Sequence, residues 1–532
     1  MPLKFPRKSL LWPVILLLLS MTLAACGDSA TSVSLSLPTE AVTAPTASST
    51  TPGPTSQAVA ATATPVASES ARSGNTVPPT TGIASATSGE TPSAVATTEA
   101  TVAATPPAST PTPRPAIKPV TGFPGKLSIL GIEDALYVAR FDGSQPLLVA
   151  GNANGSPGTG QDGVIFRWPT WTNDGSKLAV IGFNVKSGQV VNSDIVVISQ
   201  DGKSSYKVQD GGPEQPIYLS WSPDGNFLTM LVQSSNSLEL RLADTSKGKA
   251  TTTNLRKVSN GSAIYTGWSP DSQQLLIHTS TSLTDSTLSL LAAKDTKAQA
   301  VQLKATPTSF RAPAFSQDGS KLAFATLNSQ TSNEDVSIHD KKGNPIGVIE
   351  SGGRGVEFNW APAGNKLAFT YLIPNGQGLY KGIALADLGT GNPANGKYTS
   401  TQVVNEALTS FFWSPDGKKL AYITLSDDST MLSWKLYDLD SKKTSTIIDW
   451  YPSDPWLQLI QFYDQYAQSN SVWSPDSKSL VFSGYTRDEI NALKGVDNTD
   501  NVHPTVYIVA IDGPQAGKAV PVAPGTMAFW SK

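Results

Sequence analysis

The 532 residues include one cysteine and only three histidines. A single thiol, Cys26, excludes an internal disulfide framework and leaves its sulfur free for other chemistry. The histidines, His278, His339 and His503, are too few and too scattered for a shared metal site. Charge of neither sign dominates: 39 basic against 42 acidic residues give a net charge of −3. No basic stripe suited to nucleic acid follows from such a balance. Aromatic residues are missing from Gly27 to Gly122. Beyond the first 25 residues no apolar run is long enough to span a bilayer.

What is present begins with "MPLKFPRKSLLWPVILLLLSMTLAAC", a basic start (Lys4, Arg7, Lys8), an apolar stretch broken by Pro13, and small residues at its end. This reads as a secretory signal over 1–25. Leu23-Ala24-Ala25-Cys26 resembles the lipobox of bacterial lipoproteins. The resemblance implies diacylglyceryl attachment at Cys26 and a lipid anchor on a bacterial membrane, outside the cytoplasm. Two acyl chains would hold the protein there stably. Residues 26–120 are Ala, Ser, Thr and Pro with scattered charge, too poor in apolar surface to fold, and read as a disordered tether.

From 121 to 532 one pattern recurs. "FFWSPDGKKLAYIT" has variants in "LSWSPDGNFLTM", "TGWSPDSQQLLI", "PAFSQDGSKLAF", "FNWAPAGNKLAF", "SVWSPDSKSLVF" and "PTWTNDGSKLAV". Its aromatic anchors are Trp171, Trp221, Trp268, Phe315, Trp360, Trp413 and Trp473, at intervals of 50, 47, 47, 45, 53 and 60 residues. A period near 50 with four alternating apolar runs in each marks a β-propeller of four-stranded blades. Pro415 presets φ in the turn, Asp416 bonds back to nearby amides, and Gly417 supplies a left-handed residue that closes the hairpin. Ser272 and Ser477 replace that glycine, at a strain cost or through another turn type.

A final anchor, Trp530, lies in "MAFWSK", a strand A with nothing after it, whereas 125–150 reads as strands B, C and D without an A. One blade built from both ends is therefore expected. That makes an all-β propeller of eight blades, or seven should one divergent copy fail, closed by the C-terminal strand A on the N-terminal strands B to D. The repeated W-S-P-D-G hairpin resembles the PD40, or TolB-like, propeller repeat, itself WD40-like. The resemblance implies a protein-binding propeller of the cell envelope. Similar propellers precede the hydrolase domain of prolyl-oligopeptidase-type enzymes, but no G-x-S-x-G nucleophile elbow occurs here.

No catalytic residue, metal site or cofactor is nominated. The motif aspartates are accounted for by their turns, and the oxygen-rich "DNTDN" (497–501) lacks calcium-loop spacing. In a propeller the A–B and C–D turns share one face, expected here to be uniform. The D–A and B–C connections share the other, where variation concentrates and binding is expected. Two insertions stand out on that second face. The insertion 449–470, within which a short helix with Asp454 as N-cap is expected, carries candidate partner-binding residues Trp450, Tyr451, Trp456, Phe462, Tyr463 and Tyr466. In 483–504 Tyr485 and Arg487 join them. The same helix could instead plug the channel. Arg167, Arg311 and Arg354, each shortly before its anchor, are candidates to converge at the channel mouth on an anionic ligand. The expected function is a non-catalytic scaffold binding envelope or secreted proteins. The alternative is extracellular glycan binding or cleavage, which calls for two carboxylates facing each other in the channel.

Overall fold

The computed structural model describes residues 126–532 except 152–161, 235–236, 249–254, 283–284, 309–310, 390–391, 394 and 494–501. The expected signal peptide, Cys26, the expected tether and the DNTDN stretch lie outside these residues.

Each W-S-P-D-G copy forms strands A and B of one blade. In the best copy the strands are Ser410–Trp413, Lys419–Leu425, Leu432–Asp438 and Lys443–Pro452, antiparallel and adjacent in that order. The turn is held by its own side chains. Ser414 Oγ donates to Asp416 Oδ1 (2.6 Å), which accepts the Lys418 N–H (3.0 Å), while Ser414 Oγ accepts the Lys419 N–H (2.9 Å). Gly417 has φ +67°, and Ser272 and Ser477 sit at φ +60°, the same left-handed conformation and not another turn type. Both serines repay that strain across a blade boundary: their Oγ atoms accept the N–H of Asp224 (2.9 Å) and Asp416 (3.0 Å) of the preceding blade.

Among the described residues eight blades follow around the ring. Blade 1 takes its strand A, Met527–Trp530, from the C-terminal side and its strands B to D from Lys126–Leu130, Leu136–Arg140 and Leu147–Ala150. The closing register is Leu127↔Trp530 through Leu130↔Met527. Blades 2, 3 and 4 are separate four-stranded sheets with inner strands Gly163–Trp171, Gln215–Trp221 and Ala263–Trp268. Blades 5 and 6 share one strand, Pro345–Trp360, whose first part is strand D of blade 5 and whose second is strand A of blade 6. Gly352 and Gly355, at φ +86° and +66°, turn the chain between the two roles. Blades 7 and 8 are linked by pairing of Trp450–Pro452 with Gly484–Thr486. Strand A of blade 8 is reduced to a bridge, Trp473↔Leu480.

The anchors are inter-blade wedges. Trp171, Trp221 and Trp473 are 3%, 6% and 2% exposed, and burying each ring stabilises by roughly 2–3 kcal/mol. Their indole N–H groups also donate across the boundary, to the carbonyl just before the preceding blade's anchor: Trp171 to Phe529 (3.3 Å), Trp221 to Thr170 (3.0 Å), Trp413 to Asn359 (3.1 Å), Trp473 to Phe412 (3.2 Å). Trp530 donates instead to Phe141 O within its own blade (3.2 Å). Trp268 and Trp360 have no partner for this N–H among the described residues, and Phe315 has none to offer.

Candidate functional site

The D–A connection between blades 7 and 8 folds into two helices, α1 (Asp454–Gln461) and α2 (Tyr463–Ser469). The expected single helix is thus broken, at Phe462 (φ −119°, ψ 36°), and the N-cap position belongs to Ser453, with Asp454 and Pro455 in the first turn. One face of α1 buries Trp456, Leu457, Leu459 and Ile460. Trp456 meets Trp450 and Trp434 edge-on at 5.2 and 6.0 Å.

α2 lies against the inner strands. Tyr466 stacks on Trp168 of blade 2 (4.5 Å) and meets Tyr218 of blade 3 edge-on (5.4 Å). Gln465 acts as a piece of backbone: its Oε1 accepts the Thr266 N–H of blade 4 (3.0 Å), and its Nε2 donates to Thr266 O (3.1 Å) and Tyr218 Oη (2.9 Å). Asp464 Oδ2 accepts the Ala312 N–H at blade 5 (2.8 Å), and Tyr463 meets Phe411 of blade 7 (5.3 Å). Asn470, just after the helix, donates to Pro169 O (3.0 Å). A helix written YDQYAQS looks like a surface helix, yet Tyr463, Asp464, Gln465, Tyr466 and Ser469 are all buried. The blades around it satisfy the side chains of Asp464, Gln465 and Tyr466, while the Tyr463 hydroxyl has no hydrogen-bond partner among the described residues.

The partner-binding candidates are corrected accordingly. Trp450, Trp456, Tyr463 and Tyr466 are at most 4% exposed and form the plug and its packing, out of reach of any partner. Tyr451, Phe462, Tyr485 and Arg487 are half-buried. Arg487 opens a short helix, α3 (Arg487–Ala492), and is tied to Asp428 (2.6 Å) and Asp449 (2.8 Å). That bonding holds the Asp428 carboxyl well below the usual range.

The three channel-mouth arginines form no joint cluster. Arg167 pairs with Asp134 of blade 1, and Arg354 is exposed with its Nε donating to Ser332 O (2.6 Å). Arg311 alone turns inward, 3.3 Å from Glu357. Glu357 also accepts from Tyr380 Oη. Burial pushes the Glu357 carboxyl up to about 7 against the pull of Arg311, and burial raises Asp464 as well. One guanidinium thus stands among two buried acids, and burial favours the protonated form of both. Two carboxylates do meet in the channel, but they are 1% and 3% exposed and are partnered by the protein itself. Among the described residues no three His, Cys, Asp or Glu side chains gather as metal ligands, and no helix is long and apolar enough to cross a membrane.

The open space lies on the other face. Where the A–B turns converge, a funnel of about 580 Å³ is walled by anchors and turn prolines, among them Trp268, Trp360, Trp413 and Pro415. Its floor is the end of α2 (Ala467, Gln468) with Asn470 and Lys532. Sequence reasoning treated this face as uniform. The residues that shape it are the same Trp and Pro residues read as structural, and only their radial convergence makes a concavity.

Strand order and closure define a β-propeller of four-stranded blades with a helical plug. No protein-family model matches the chain, and no curated protein matches it. Among solved structures it is similar to TolB from Acinetobacter baumannii, with 16% identity and a TM-score of 0.32, covering 61% of this chain and 64% of that one. It is similar to a prolyl endopeptidase at 12% identity and a TM-score of 0.44, covering 69% and 50%. It is also similar to an oligogalacturonate lyase in complex with manganese, at 14% and 0.41, covering 73% and 98%. The chain thus spans less than two thirds of that TolB and half of that endopeptidase. Such likenesses concern the fold alone.

Proposed function

We propose that this chain is a binding propeller of the bacterial cell envelope, tethered by a lipid on Cys26, that holds a protein partner on its A–B-turn face without catalysing a reaction. The observation that carries the reading is the asymmetry of the channel: α1 and α2 pack into it, and a funnel opens toward the A–B turns. A rigid scaffold with one apolar concavity suits recognition. The test uses full-length protein in its own cells. Asn173→Trp and Gln317→Trp add bulk at exposed rim positions without touching the core. Both variants are expected to fold, to stay in the membrane fraction and to lose co-purification of a discrete envelope protein. Cys26→Ser is expected to leave the membrane fraction. Undiminished co-purification with both rim variants would sink the assignment of the face.

The glycan-cleaving alternative is favoured by one observation, the meeting of Glu357 and Asp464. Their burial with Arg311, Tyr380 and the Ala312 N–H fits a latch for α2 better than an acid–base pair, which must reach a glycosidic bond. Turnover of a polysaccharide lost in Glu357→Gln would reverse that preference.

A further inference from the structure

Strand B of blade 1, Lys126–Leu130, starts on the A–B-turn face. Its first residue is clasped by the end of strand A: the Lys126 N–H donates to Ser531 Oγ (3.0 Å), and the Ser531 N–H donates to Lys126 O (2.8 Å). The residue after Ser531 already lines the funnel. The A–B turn of blade 2 closes on the same point, since a Cβ on Gly175 would stand 3.0 Å from Ser531 Cβ. Asn173 of that turn is also part of the funnel wall. The chain preceding Lys126 therefore joins the propeller at the funnel's rim. That stretch, 115–125, lies outside the described residues and reads "PAIKPVTGFPG". It departs from the Ala, Ser and Thr ahead of it: Ile117, Val120 and Phe123 recur at every third position, set among Pro115, Pro119 and Pro124. Polyproline II geometry has three residues per turn, so this spacing would put the three apolar side chains on one face and Lys118 off it.

We infer that residues 115–124 lie across the funnel with Ile117, Val120 and Phe123 against its indoles, so that the chain's own segment occupies the face until a partner displaces it. Segments carrying prolines dock in aromatic-lined grooves at a small cost in ordering entropy. The funnel offers such a surface: half-buried Trp268, Trp360 and Trp413 with turn prolines between them, and no aspartate or glutamate in the lining. At roughly 3.1 Å per residue the stretch from 115 to 124 extends about 31 Å, enough to cross a cavity of about 580 Å³. Joined directly to the rim, it is held at high effective concentration over the funnel. The inference rests on the A–B-turn face being the binding face, and deepens that reading by giving the face a resident competitor.

Photo-crosslinking in the full-length chain tests the contact, with a benzophenone amino acid at position 117 and, separately, at 118. Position 117 is expected to link to Trp268 or Trp360, in blades 4 and 6 across the ring from the entry point, and position 118 is expected to lose those links. A link from 117 into a second copy, into another protein, or only into residues outside the funnel would overturn the inference and name what the segment touches instead. Competition tests the occupancy. A fluorescein-labelled peptide of residues 115–124 is titrated against the detergent-solubilised full chain and against its Ile117→Asp, Val120→Asp, Phe123→Asp triple variant, read by anisotropy. The substitutions precede the first described strand, so the blades should fold unchanged. The variant is expected to bind the peptide about tenfold tighter than the unaltered chain, the ratio produced when a tethered segment at about 1 mM effective concentration competes with a peptide of about 0.1 mM affinity. Equal binding to both proteins, or none to the variant, would overturn the inference. If that happens while Asn173→Trp and Gln317→Trp still abolish partner capture, the binding face stands and only its resident segment falls.

Discussion

A tryptophan with a partner for its N–H and one without can be told apart by experiment. Trp413 donates to Asn359 O, whereas Trp360 has no such partner among the described residues. Replacing Trp413 with Phe therefore removes packing area, loses a hydrogen bond and strands a carbonyl. Replacing Trp360 with Phe removes area together with an unpartnered buried N–H, and breaks no hydrogen bond. The first is expected to cost about 1 kcal/mol more than the second, measured by denaturant midpoints at constant m. Equal costs would show that the inter-blade bond contributes nothing. The anchors themselves were legible from their spacing, because a wedge must recur once per blade. Their acceptors were not, since those of Trp221, Trp413 and Trp473 lie in the preceding blade, 51 to 61 residues away, and that of Trp171 lies 358 residues away across the closure. The role of Ser272 and Ser477 was hidden for the same reason: their Oγ partners are the turn amides of another blade.

At the scale of elements, α2 is the hub, and a titration can address it. Arg311 faces Glu357 and Asp464 in a buried group, and Glu357 is raised to about 7. An unfolded glutamate titrates near about 4.3, so between these values the folded protein retains a proton that the unfolded chain releases. This contribution is full below about pH 4.3 and is lost as pH rises through about 7. The thermal midpoint is expected to fall between pH 5 and 8 more steeply in the unaltered protein than in Glu357→Gln. Parallel profiles would mean that Glu357 is not held neutral. The existence of a helix near 454 was readable from Pro455 and its apolar residues. Its break at Phe462 and the burial of a polar second half were not. Burial of polar groups becomes tolerable only when a ring of strand amides and carbonyls is there to satisfy them, and such a ring is a property of the assembled blades.

The whole molecule was the most legible level, since a repeat period, a missing strand A and a surplus one admit few arrangements. Closure at Leu127↔Trp530 through Leu130↔Met527 agrees with the expectation of one blade built from both ends. Trp530 is 1% exposed, and its truncation to Ala is expected to cost about 3–5 kcal/mol. Hydrogen exchange should then accelerate together in Lys126–Leu130 and Met527–Trp530, strands almost 400 residues apart in sequence. Acceleration in only one of them would mean that they do not open as a unit. The inward turn of the long D–A loop was not legible, because loop length was used as a guide to exposure.

We propose above that this propeller works through its A–B-turn face. A photo-crosslinking amino acid placed at Gln317 on that face, and separately at Asp488 on the opposite one, compares the two directly in living cells. Both positions are exposed, so neither replacement should disturb the fold. A discrete crosslinked protein from position 317 and none from position 488 is the result expected. A discrete species from 488 alone would contradict the account and return binding to the loop face.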